Sequence, residues 1–245
     1  MSSPVRIRRA EEADLDALTT LILTSFRQFQ LFAYLYSSLQ SSPASASDTL
    51  WYWRRRLHLE MLDPYTDVLV ADIGVEDKSP DAGDDMGAKY LHEWMATRMD
   101  RKDPQIQKNV RKPYQEETIT TKPTAIPKRA KQSWTAWLKD QDPQAYAEYI
   151  NAEGRLAGDC YSSEVVYYLD NLTVDFRFQR RGIGKELVQR GLEEATRINL
   201  PAMTEASLKG EGLYYRLGFE KIAVWDVCGF KLPVMRWMQS TEASY

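Results

Sequence analysis

The chain has 245 residues, 43% hydrophobic and 27% charged, with a formal net charge of −3. Such a composition supports a sizeable core and is that of no nucleic-acid-binding polycation. Two cysteines (Cys160, Cys228) and two histidines (His58, His92) exclude a disulfide framework and a multi-histidine metal centre, and neither histidine stands in the context of a hydrolase nucleophile. Residues 1–10 lack an apolar segment of signal length, and Glu11, Glu12, Asp14 and Asp16 follow at once. No run approaches the roughly 20 apolar residues of a membrane span, so the expectation is a soluble, cytoplasmic protein with no membrane partner.

Residues 5–8 alternate apolar and polar, as a half-buried strand does. Asp14 suits an N-cap, and Leu15, Leu18, Ile22, Phe26 and Phe29 form one apolar helical stripe. Residues 31–39 either extend that helix or start another, and the Ser/Ala-rich stretch 37–47 reads as a loop. Asp48 suits the cap of a helix to about Leu62, with Trp51, Leu57, Met61 and Leu62 available for packing. The apolar run 68–71 has strand length, 76–87 carries turn residues, and 88–94 is ambiguous between strand and helix. Residues 101–131 hold nine basic and three acidic residues with four prolines, which predicts a surface excursion. A helix signal returns at Ser133, Asp142-Pro143 suits a cap with proline at the first helical position, and Trp134, Trp137 and Tyr146 have the spacing of a helix face.

The last third is the most regular. Residues 165–174 are β-rich, 182–198 helical with Leu187, Leu192, Ala195 and Ile198 on one side, and 201–207 a short strand. A short helix at 212–217 precedes strands at 219–227 and 231–238, joined at Cys228-Gly229. The series reads as mixed α/β.

The turn Gln179-Arg180-Arg181-Gly182-Ile183-Gly184 leaves a strand region and opens a helix. The first helical N–H groups lack internal partners and favour an anion, the two glycines let the backbone come close, and the arginines add positive charge. Taken alone, the turn equally suits a glycine-rich helix entry with solvated arginines. A P-loop is disfavoured because Glu186 follows Lys185 where Ser or Thr is needed, and a dinucleotide fingerprint because Leu187 stands near the third glycine position.

Four segments in order extend this pattern: Leu169-Asp170-Asn171-Leu172-Thr173-Val174, the turn through Lys185, Glu205-Ala206-Ser207, and Leu213-Tyr214-Tyr215-Arg216-Leu217-Gly218-Phe219. Together, over residues 165–238, they resemble the core of the GNAT superfamily of N-acetyltransferases, more loosely also over residues 5–75. The resemblance implies a splayed central sheet flanked by helices, with acetyl-CoA as co-substrate in the opening and no metal. Backbone groups of Leu172, Thr173 and Val174 would pair with the pantetheine arm. Gln179, Arg180, Arg181, Gly182, Ile183, Gly184 and Lys185 would hold the pyrophosphate, with Asn199 and the 212–217 helix on the other side of the cofactor.

In the implied reaction an amine of a small molecule or protein attacks the thioester, and CoA leaves as a thiolate. The amine must be neutral, and the thiolate needs a proton or hydrogen bond. Tyr214 stands at the family position for the acid, with packing of its ring as the other reading; Tyr215 reads as packing. Asp170 and Glu205 are the candidates for a base, each equally able to be a solvated or salt-bridged strand-end carboxylate. Asp170 counts in phase with Leu172 and Val174. The cysteines lack a nearby activating histidine and read as structural.

The chain is thus expected to be one acetyltransferase domain over 1–245, with an insertion at about 98–163 before the cofactor-binding strand, as a lid over the acceptor or a docking segment. The alternative is a catalytically weak acyl-CoA-binding protein of the same fold. A nucleic-acid partner through 101–131 is disfavoured by the net charge and by the absence of basic–aromatic alternation.

Overall fold

Seven strands form one mixed sheet in the order β1-β2-β3-β4-β5-β7-β6, as shown by a computed structural model of the chain. Described are residues 5–26, 29–35, 43–72, 89–97, 144, 148, 151 and 165–239. The strands are β1 (Arg6–Arg9), β2 (Thr66–Asp72), β3 (Lys89–Thr97), β4 (Val166–Leu172), β5 (Ala202–Glu205), β6 (Glu220–Val227) and β7 (Phe230–Trp237). The helices are α1 (Leu15–Phe26), α2 (Gln30–Leu35), α3 (Pro43–Leu62), α4 (Ile183–Arg197) and α5 (Glu211–Arg216). All strand pairs are antiparallel except β4–β5.

The sheet is covered on both faces, and alternation along β2 divides the two cores. Leu69 and Ala71 pack with Leu169, Ile183, Leu187, Val188 and Tyr214 on the α4 face. Val68 and Val70 pack with Leu15, Leu18, Ile22, Trp53 and Leu57 on the α1/α3 face. The α4 stripe of Ile183, Leu187, Val188, Leu192 and Ala195 is buried, and each large aliphatic in it contributes about 1.5–3 kcal/mol of burial.

Several local expectations are revised. Residues 43–47 are not loop and Asp48 does not cap the helix: α3 begins at Pro43, and Trp53 rather than Trp51 is its buried aromatic, at 1% exposure, while Leu62 is 63% exposed. Asp14 ends a 3-10 turn and is buried; its carboxylate accepts from Glu11 N at 2.8 Å and from Arg8 Nη1 at 2.6 Å. Residues 30–35 form a helix of their own, and of the ambiguous 88–94 stretch residues 89–94 lie in β3. Cys228 (φ 51°) and Gly229 (φ 78°) make the β6–β7 turn, the left-handed pair that matches the twist of a two-residue hairpin. The insertion expected at 98–163, with Trp134, Trp137, Tyr146 and Cys160, lies outside the described residues except for Gln144, Glu148 and Asn151, which are helical. Among the described residues no helix is long and apolar enough to cross a membrane.

Candidate active site

Parallel β4 and β5 pair only at Tyr167–Ala202 and Tyr168–Met203. Beyond them β5 follows β7, with Ala206 N donating to Pro233 O at 2.8 Å, while β4 runs on beside β3 to Leu172. The sheet therefore opens between β4 and β5. On the α4 face a side chain ties the strands where they part: Thr204 Oγ1 donates to Leu169 O at 2.9 Å.

β4 reaches this opening with a bulge. Trp94 pairs with Leu169 and Glu93 with Asn171, leaving Asp170 with no opposite residue on β3. The extra residue reverses the alternation. Tyr167, Leu169, Leu172 and Val174 all pack on the α4 face, whereas Asp170 pairs with Arg56 of α3. The sequence count that put Asp170 in phase with Leu172 and Val174 is thus broken by the bulge.

Six residues, the last three a 3-10 turn at Phe176–Phe178, lead from the end of β4 to the 179–184 turn. Asp175 Oδ1 accepts from Arg177 N at 2.9 Å, and Gln179 Nε2 donates to Val174 O at 2.9 Å, fixing the chain's exit. Arg180 (φ 66°) and Gly182 (φ 89°) both take left-handed backbone conformations, which glycine adopts without strain. A Cβ on Gly182 would meet nothing within 4 Å, so the turn is open at that point. The α4 ladder starts with Glu186 N donating to Gly182 O at 3.1 Å, which leaves the preceding N–H groups without helical partners. Arg180, Arg181 and Lys185 are exposed around them, and the Arg181 guanidinium lies 5.1 Å from the Phe178 ring centroid. Unpaired N–H groups, a helix N-terminus, open space and three cations fit a pyrophosphate. A Cβ on Gly184 would touch Val174 at 3.6 Å and Leu213 at 3.7 Å, so here the end of β4, α4 and α5 converge.

Tyr214 enters from α5 on the same face. It is 5% exposed, edge-on to Phe219 with centroids 5.3 Å apart. Its hydroxyl engages the Thr204 side chain, the group that ties β4 to β5. Burial, aided by the charge of Glu205, holds its proton well above the ordinary tyrosine range, against the opposing hydrogen bond of Thr204. It is therefore a neutral hydroxyl at the apex of the opening.

The two carboxylate candidates occupy the other face. Asp170 Oδ2 accepts from Asn171 Nδ2 at 2.7 Å and from Arg56 Nη2. Glu205 accepts from the Tyr168 hydroxyl across the two strands. Arg56, Glu60 and Tyr52 of α3 complete this face, and sequence reasoning missed them. Burial pushes the Tyr52 phenol up to about 12, with Arg56 acting in the opposite direction. The Arg56–Glu60 spacing of four residues was the one sequence signal for this network. Asn199 takes φ 54° just past the C-terminus of α4, roughly 20 Å along the helix from the turn.

Residues 92–219 match the Acetyltransferase (GNAT) family. No curated protein matches the chain. Solved structures do. A Corynebacterium glutamicum protein described as histone acetyltransferase HPA2 and related acetyltransferase aligns at 16% identity and TM-score 0.53, covering 99% of each chain. The PaiA N-acetyltransferase of Thermoplasma acidophilum, in complex with coenzyme A, aligns at 12% identity and TM-score 0.50 over 96% of this chain and 99% of the other. A protein of the yellow fever mosquito carrying the name arylalkylamine N-acetyltransferase 7 aligns at 13% identity and TM-score 0.55 over 95% and 86%. At these identities the likeness establishes the fold.

Proposed function

We propose that this chain, which belongs to the acetyltransferase (GNAT) family, transfers the acetyl group of acetyl-CoA directly to an amine of a small molecule or a protein. The observation that carries this is the coincidence of two features on β4: the strand parts from β5, and its end leads into a cationic, left-handed turn at the N-terminus of α4. The opening leaves β4 backbone groups for an extended ligand, as β-strand addition requires, and the turn supplies the anion site at one end of it.

In this reading Leu172, Thr173 and Val174 bind the pantetheine arm, and residues Gln179 to Lys185 bind the pyrophosphate. The Tyr214 hydroxyl donates its proton, or a hydrogen bond, to the departing thiolate; its burial keeps that proton in place at neutral pH. Asp170 and Glu205 serve the acceptor nitrogen from the opposite face, directly or through water. The PaiA structure with coenzyme A supports CoA as the carrier. Residues 1–245 act as one unit, with the insertion at 98–163 contributing to acceptor choice.

The test is thiol release from acetyl-CoA with phenethylamine, spermidine and a lysine-containing peptide as acceptors, beside calorimetric acetyl-CoA titration. Acceptor-dependent thiol release supports the reading. Acetyl-CoA binding without acceptor-dependent release points to the acyl-CoA-binding alternative, and no binding overturns both.

A further inference from the structure

The α1/α3 face of the opening holds a network that neither carboxylate could make alone. Arg56 of α3 reaches Asp170 of β4 with Nη2 and Glu60 of its own helix with Nε, the latter at 2.5 Å. Its guanidinium also lies over the Trp53 ring, 4.8 Å from the centroid. Trp53 and Leu57 are buried in the α1/α3 core, so the cation projects from a rigid helix. A planar guanidinium fixed by a carboxylate and a ring has little freedom left to lose when it binds a second carboxylate.

What this does to Asp170 is specific. Both its protein donors, Arg56 Nη2 and Asn171 Nδ2, converge on Oδ2, and among the described residues none donates to Oδ1. The bulge at Asp170 carries the side chain to the α3 face, within Arg56's reach. The carboxylate is thus held by one oxygen, with the other unclaimed, beside the opening between β4 and β5.

We propose that Arg56 is a positioning residue for the acceptor: it clamps Asp170 by Oδ2 so that Oδ1 accepts a hydrogen bond from the acceptor nitrogen. This rests on the reading of Asp170 as acceptor-side machinery. In this reading Arg56 acts on the acceptor through Asp170, while its contacts with Glu60 and the Trp53 ring bear on stability, which the melts read separately.

A double-mutant cycle tests it. Arg56→Met, Arg56→Lys, Asp170→Asn and the double variant Arg56→Met/Asp170→Asn are compared for acceptor-dependent thiol release with phenethylamine, spermidine and the lysine peptide. Each is also titrated with acetyl-CoA and melted. Arg56→Met should lower acceptor kcat/KM by about 10- to 100-fold, the scale of a misplaced catalytic group. Acetyl-CoA affinity should stay the same, and Arg56→Lys should recover part of the loss. In the Asp170→Asn background, Arg56→Met should cause no further loss, the signature of two residues acting as one unit. Equal losses in both backgrounds, unchanged kinetics in Arg56→Met, or weakened acetyl-CoA binding would each overturn the proposal. A wild-type chain that releases no thiol with any of the three amines overturns instead the acetyl-transfer reading on which it stands.

Discussion

Thr204 Oγ1 and the Leu169 carbonyl meet at 2.9 Å, a buried side-chain bond standing where the next β4–β5 ladder bond would have been. Replacing the hydroxyl with a methyl leaves that carbonyl without its donor, which costs about 1–3 kcal/mol for a buried group. Thr204→Val should lose that much stability in urea melts, and Thr204→Ser should retain most of it. A neutral Thr204→Val would show that the carbonyl finds another donor, such as water in the opening.

The turn predicts two different outcomes at one position. Gly182→Ala places a Cβ in open space but at φ 89°, costing about 1–2 kcal/mol of stability, with acetyl-CoA affinity little changed. Gly182→Asp adds a negative charge where the pyrophosphate is proposed to lie, and affinity should fall about tenfold or more. Calorimetry on the folded variants decides; equal affinity in Gly182→Asp and wild type removes the turn from the cofactor site.

Tyr214→Phe keeps the ring against Phe219 and deletes the hydroxyl that engages Thr204. Turnover should fall about 10²- to 10⁴-fold if the hydroxyl is the proton donor, with acetyl-CoA binding nearly intact. An unaltered rate, measured where chemistry limits turnover, assigns the residue to packing.

Alkaline conditions should destabilise the fold. The Tyr52 phenol is raised by burial from 10.0 to about 12. Its contribution is complete below the unfolded value of about 10 and is lost as pH rises through 12, on the order of 3 kcal/mol in all. Tyr167 and Tyr214, raised by the same cause, push in the same direction. Thermal melts between pH 8 and 11.5 should show Tm falling above pH 10, less steeply in Tyr52→Phe. A flat profile would mean that these phenols reach water when ionised.

At the sheet edge, Arg8 joins Asp14, 1% exposed, to Asp72. Arg8→Met strands a buried carboxylate and should cost about 3–5 kcal/mol by chemical denaturation. An Arg8→Met/Asp14→Asn pair should recover much of that; no recovery would place the loss in packing of the arginine stem.

The 179–184 turn, α4 and the β6–β7 hairpin were legible because their signals are local. Glycines stand at positive φ, and Leu187, Leu192 and Ala195 recur at helical spacing. Tyr214 was legible only through resemblance, since its partner Thr204 is ten residues away on another element. Arg56 was not, because its meaning depends on Asp170, 114 residues further on. The bulge was hidden for a different reason: Asp170, Leu172 and Val174 keep an uninterrupted period of two in sequence, and only pairing with β3 reveals the residue without an opposite. The start of α3 was misplaced because Ser45, Ser47 and Asp48 suggested a loop and a later cap, whereas Pro43 at the first helical position and the two alanines favour helix; Trp53 rather than Trp51 is the core aromatic.

The same bulge makes β4 a strand with two addresses. Leu169, Leu172 and Val174 face the helix that follows the cationic turn, while Tyr168 and Asp170 face the carboxylate network with α3. One added residue separates the two sets of neighbours along a single strand. Substitutions at Arg56, Tyr168 or Asp170 can therefore be sampled without disturbing the packing beneath the turn. Under the proposed function, an engineer seeking a new acceptor would vary that face and leave Leu172, Val174 and Gly184 alone, keeping the proposed donor half of the reaction fixed while the other half is redrawn.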